Sequence, residues 1–136
     1  MNRTIKHKES TLQQRCISYF RHLWPEYATL YFGVMNGVQL TKKQAAIAKA
    51  EGLTAGVSDT LLLIPAQGYH GLAIEFKKED LDYDIDGNVT VSKKTYQKKE
   101  QKEWQAAVES RGYLYKVIRN REEFDELIDW YLGKRF

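Results

Sequence analysis

The chain has 136 residues, 43% of them apolar, with a net charge of +3 and a pI near 8.9. That length suits a single domain over residues 1–136, and that apolar share sustains a packed core, which excludes a disordered chain. No apolar run approaches the roughly 18–20 residues a membrane span needs, the polar opening MNRTIKHKES lacks a signal-peptide core, and the lone Cys16 excludes an internal disulfide or a multi-cysteine zinc site, so a cytoplasmic protein with no membrane partner is expected.

Along the chain, Leu12, Cys16, Phe20 and Leu23 recur at helical spacing, and Pro25 closes a helix over residues 9–23. Residues 28–34 (ATLYFGV) are apolar and β-prone, and Asn36-Gly37 marks a turn after them. Thr41 can cap a helix over 42–51, which Gly52 ends. Residues 60–65 (TLLLIP) and 71–77 (GLAIEFK) form two short strands joined by the Gln67-Gly68 turn, a β-hairpin. Asp86-Gly87 signals a smaller turn. Residues 94–111 form a polar helix with Gln101, Trp104 and Val108 on one face, ended by Gly112. Residues 113–119 (YLYKVIR) alternate as a strand. Asn120 then begins a helix with Glu123 as capping-box partner, an apolar stripe of Phe124, Leu127, Ile128 and Tyr131, and a stop at Gly133. The order α, β, α, β, β, α, β, α predicts an α/β fold with a small mixed central sheet flanked by helices.

Charge is unevenly placed. Residues 1–22 carry Arg3, Lys6, Lys8, Arg15 and Arg21 against Glu9, and residues 93–103 carry Lys93, Lys94, Lys98, Lys99 and Lys102 against Glu100 and Glu103. Between them runs an acidic stretch, Glu79, Asp80, Asp82, Asp84 and Asp86. Such a pattern suits a phosphate grip around a metal site, although on charge alone an ordinary solvated surface is the simpler reading. The three histidines, His7, His22 and His70, have no metal-ligand spacing and read as surface groups; Cys16 lies on an apolar helix face and reads as core.

One stretch carries chemistry: Gly56-Val57-Ser58-Asp59, a strand, a turn, then Glu75-Phe76-Lys77. In a hairpin the start of the first strand lies beside the end of the second, so Asp59 falls near Glu75 and Lys77. Strand alternation puts Glu75 and Lys77 on one face and Phe76 on the other. Two carboxylates can hold a hard divalent cation, and a neighbouring lysine can orient water or stabilise charge on a phosphoryl transition state. An arbitrary E-x-K is usually a surface pair; Asp59 at the right distance, with a glycine before it, lifts this one above that background.

The stretch resembles the PD-(D/E)XK nuclease superfamily, with Ser58 where a proline is usual, and within it the VRR-NUC group. The likeness extends over residues 8–132, through Asn36-Gly37, Glu51-Gly52, Gln101, Trp104, Val108, Gly112 and the closing strand and helix. It implies a restriction-endonuclease-like core, with Asp59, Glu75 and the Phe76 carbonyl as ligands of Mg2+ or Mn2+ and Lys77 as the catalytic lysine. It also implies Gln101 near the metal and Glu9 as the N-terminal acidic residue, with Gln13 one turn later on the same face. Two departures stand out: Ser58, expected to matter little, and the stretch from Glu79 to Val91, longer than the group's usual link, which fits a hairpin near the site, a dimer contact or a flap over DNA.

The resemblance implies a structure-selective DNA endonuclease, similar to Holliday-junction resolvases that work as homodimers on branched DNA and release a 3′-hydroxyl. Two alternatives remain open: a non-catalytic DNA-binding module with the same fold, and a nuclease acting on flaps, plain duplex or RNA.

Overall fold

The computed structural model describes residues 3–35, 39–77, 81–83, 85–91 and 97–135. Helix α1 (Arg3–Leu23) leads through a 3₁₀ turn (Pro25–Tyr27) into strand β1 (Tyr31–Gly33). Helix α2 (Lys42–Ala50), β2 (Thr60–Leu62), β3 (Leu72–Phe76), β4 (Leu81–Tyr83), β5 (Val89–Val91), α3 (Lys99–Glu109), β6 (Leu114–Ile118) and α4 (Arg121–Leu132) follow. Four strands form one mixed sheet in the order β1-β2-β3-β6, antiparallel except for the β3–β6 pair; β4 and β5 form a separate antiparallel hairpin. Parallel neighbours need a crossover, and α3 supplies it between β3 and β6.

Every residue of β3 is buried, as expected of a central strand covered on both faces. Leu72, Ile74 and Phe76 point into the main core with Leu12, Cys16 and Phe20 of α1, Tyr31 of β1, and Phe124, Leu127, Ile128 and Tyr131 of α4. Ala73, Glu75 and the following Lys77 alternate to the opposite face, where Trp104 of α3 meets Tyr115 of β6 edge to face at 6.0 Å. Cys16 is fully buried, and desolvation pushes its thiol up to about 12, in keeping with a core residue. Behind the core, Arg135 stacks over Trp24 at 3.5 Å and pairs with Glu26, fastening the end of the chain to the end of α1.

The hairpin expected from the sequence is present as β2 and β3, and Gln67 (φ 53°) and Gly68 (φ 80°) turn the chain between them. Strand β2 stops at Leu62, earlier than the apolar run suggests: the Leu63 N–H still bonds the Leu30 carbonyl in register with the β1–β2 ladder, and Pro65, two residues on, has no N–H to give. Helix α1 begins earlier than residue 9, at Arg3, and α3 begins later than residue 94, at Lys99. Thr41 caps α2 with the reciprocal bonds of a capping box to Gln44. At α4 Asn120 accepts from the Glu123 N–H at 2.9 Å, but the Glu123 carboxylate reaches one residue further back, to the Arg119 N–H at 2.8 Å. The long acidic link holds the β4–β5 hairpin. Asn36-Gly37, Glu79, Asp80, Asp84, Lys93 and Lys94 lie outside the described residues. No described helix is long and apolar enough to cross a membrane.

Candidate active site

Thr60 pairs with Ile74 across the hairpin, and one further step of that register sets Asp59 opposite Glu75. Asp59 Oδ2 accepts the Phe76 N–H at 2.7 Å, which ties the residue before β2 to the end of β3. Glu75 and Lys77 are almost fully buried, at 4% and 5% exposure. The Lys77 N–H bonds the Ile118 carbonyl at 2.9 Å, so its backbone is held by β6.

The electrostatics follow from this crowding. Burial dominates at Glu75 and, reinforced by the Asp59 charge, the Asp59 hydrogen bond and the Glu9 charge, pushes its carboxyl up to about 9 against the pull of Lys77. Burial also raises Asp59, opposed by the Phe76 N–H, by Glu75 and by Lys77. The two carboxyls are therefore close enough to share a hydrogen bond when one is protonated. With both ionised neither can donate, and Glu75 Oε2 is then buried with no donor among the described residues. A proton or a cation has to fill that position, since a bare buried carboxylate is costly.

Gln101 completes the geometry from α3. Its Oε1 accepts the Lys98 N–H at 2.9 Å, one of the open donors at the start of the helix, while its Nε2 donates to Glu75 Oε1 at 3.3 Å. The structure thus brings Asp59, Glu75, Lys77 and Gln101 together, and Glu9 of α1 reaches the same cluster through its charge.

Several supports were not visible in the sequence. Gly56 (φ 86°) lies so close to α3 that a Cβ there would stand 2.2 Å from the Glu100 carbonyl oxygen. Only glycine admits both that approach and that backbone conformation, and the contact seats the first turn of α3, which carries Gln101. Ser58 is fully buried, and its hydroxyl donates to the Thr60 carbonyl at 2.9 Å. The loop that a proline would stiffen is therefore held by a side-chain bond, and Ser58 has more to do than the sequence suggests. Thr60 in turn donates to the Ile74 carbonyl at 3.2 Å and meets the Tyr31 hydroxyl at 3.0 Å. Gln97 donates to Gln105 and to the Tyr115 hydroxyl, bracing α3 on β6. At the end of β6, Arg119 keeps a buried Nη1 with no hydrogen-bond partner among the described residues.

A mixed four-stranded sheet with helices on both faces and an Asp, Glu, Lys cluster at one end of its central hairpin has a restriction-endonuclease-like architecture. Among solved structures, the chain is similar to one described as a VRR_NUC domain protein, with a TM-score of 0.69 and 21% identity over 91% of this chain and 87% of that one. At that identity the likeness shows the fold alone, which the two chains share over most of their lengths. No protein-family model matches the sequence, and no curated protein matches it.

Proposed function

We propose that the chain is an endonuclease dependent on Mg2+ or Mn2+ that hydrolyses DNA, prefers branched substrates such as four-way junctions, and works as a homodimer. The observation that carries this reading is the Glu75 Oε2 atom, buried beside Asp59 with no donor among the described residues. The donor set fits a hard cation: the Asp59 and Glu75 carboxylates, with the Phe76 carbonyl between Glu75 and Lys77 as the third protein oxygen. No cluster of three or more His, Cys, Asp or Glu side chains able to hold a metal occurs among the described residues. Most coordination positions are thus left to water and phosphate oxygens, which suits Mg2+.

A divalent cation held by these residues would polarise the phosphoryl oxygen and lower the pKa of water beside it. Lys77, buried and fixed by its backbone bond to Ile118, offers its ammonium to the charge that builds on the phosphate oxygens. Gln101 holds the Glu75 carboxylate in orientation, and Phe76 does the same for Asp59 through its N–H. Glu9 adds negative charge that strengthens cation binding. A single such site cuts one strand, so symmetric cleavage of a junction calls for two copies, which light scattering of the purified protein would detect.

The test is cleavage of a labelled four-way junction, a flap and a linear duplex with Mg2+ and with EDTA, alongside Asp59→Ala. The expected result is Mg2+-dependent cleavage strongest on the junction and absent in Asp59→Ala. Cleavage that survives EDTA or Asp59→Ala would contradict the mechanism, and equal cutting of all three substrates would contradict the preference for branches.

A further inference from the structure

Two open clefts, of about 540 and 490 Å³, flank the exposed ridge of α1 formed by Gln14 and Ser18. Gly33 lines the smaller cleft, and a Cβ on it would stand 3.2 Å from Gln13 Nε2 and 3.8 Å from the Asp59 carbonyl oxygen, so this cleft opens beside the candidate active site. Arg21 lies at its other end, held by bonds to the Ala28 and Tyr31 carbonyls at 3.2 and 3.3 Å. Across the ridge, Arg15 and Arg121 line the larger cleft. Arg121 stacks over the Tyr19 ring at 3.7 Å and bonds Asp125 through Nε, leaving the Nη edge of its planar fork for another acceptor. Among the described residues no carboxylate lines either cleft.

We infer that this face of α1 is a second, non-catalytic site that binds the phosphodiester backbone of DNA leading away from the cleavage point. The inference rests on the nuclease reading and deepens it. From Gln14 to His22 the helix rises about 12 Å at 1.5 Å per residue. At about 3.4 Å per nucleotide along one strand, that length spans roughly three to four nucleotides. The lining offers guanidinium, amide and hydroxyl donors to phosphates, so recognition is independent of sequence.

The experiment measures binding of a labelled DNA duplex over a salt series in EDTA, for wild type, Arg15→Gln, Arg15→Gln/Arg121→Gln and, as control, Arg111→Gln in the turn after α3. Each phosphate deprived of its guanidinium makes the slope of log K against log salt shallower by about 0.9. The slope is expected to become shallower by about 0.9 in the single variant and about 1.8 in the double, and to stay unchanged in Arg111→Gln. Arg15 is exposed, so the single variant reports even if removal of the Arg121 pair weakens folding. An unchanged slope in Arg15→Gln, an equal change in Arg111→Gln, or no duplex binding by folded wild type overturns the inference. Failure of the nuclease reading shows differently, as absent Mg2+-dependent cleavage by a wild type whose salt slope still depends on Arg15.

Discussion

Glu75 is a residue whose place in the fold opposes folding of the metal-free chain. The folded protein keeps a proton on it up to about pH 9, whereas an ordinary glutamate releases its proton near 4.5. A raised carboxyl contributes its full stability below the unfolded value and loses it as pH rises through this window. Glu75→Gln, which needs no proton, is therefore expected to melt higher than wild type in EDTA at pH 8 by about 5 °C, with the gap closing toward pH 5. Adding Mg2+ at pH 8 should raise the wild-type melting temperature and leave Glu75→Gln unmoved. Thermal melts of both proteins across pH check this, and a gap that does not depend on pH would contradict it. Ser58 acts in the other direction: Ser58→Ala removes a fully buried hydrogen bond and is expected to cost about 1 kcal/mol, read as a lower urea midpoint. Asp59, Glu75 and Lys77 were legible because antiparallel pairing and two-residue alternation alone dictate that they meet. The bond from Ser58 to Thr60 was not, because a proline and a serine can hold the same loop by unrelated physics.

At the scale of elements, capping residues and apolar periodicity marked the helices, but the bonds and contacts that seat the elements on one another are long-range. The Leu63 N–H bonds the Leu30 carbonyl in register with the β1–β2 ladder, a partner 33 positions away that no local pattern announces. The same holds for the seat of α3. Gln101 was legible as the face residue of a helix, whereas the glycine that lets this helix approach lies 45 positions earlier. Gly56→Ala sets a Cβ against the Glu100 carbonyl and strains a positive φ, so the loop and the first turn of α3 must part. The expected result is a melting temperature lower by about 5–10 °C, corresponding to about 2 kcal/mol. Loss of Mg2+ stabilisation should accompany it, as Gln101 leaves Glu75. A variant that melts like wild type and still responds to Mg2+ would contradict this seating of the helix.

Across the whole molecule, the sheet separates two tasks. One face is hydrophobic and carries α1 and α4; the other bears Glu75 and Lys77 under α3. A modest net charge of +3 gives little hint of the polyanionic substrate proposed above, because attraction depends on where the charges lie, as in the two clefts along α1 that lack carboxylates among the described residues. A lysine at 5% exposure is expensive to bury for stability alone, and that cost is the ground for the chemical role proposed for Lys77. The direct test is cleavage of a four-way junction with Mg2+ by wild type and by folded Lys77→Ala. A fall in rate of about 10²–10³-fold, with junction affinity kept within a few fold, is the predicted result. Equal rates for the two proteins would contradict it.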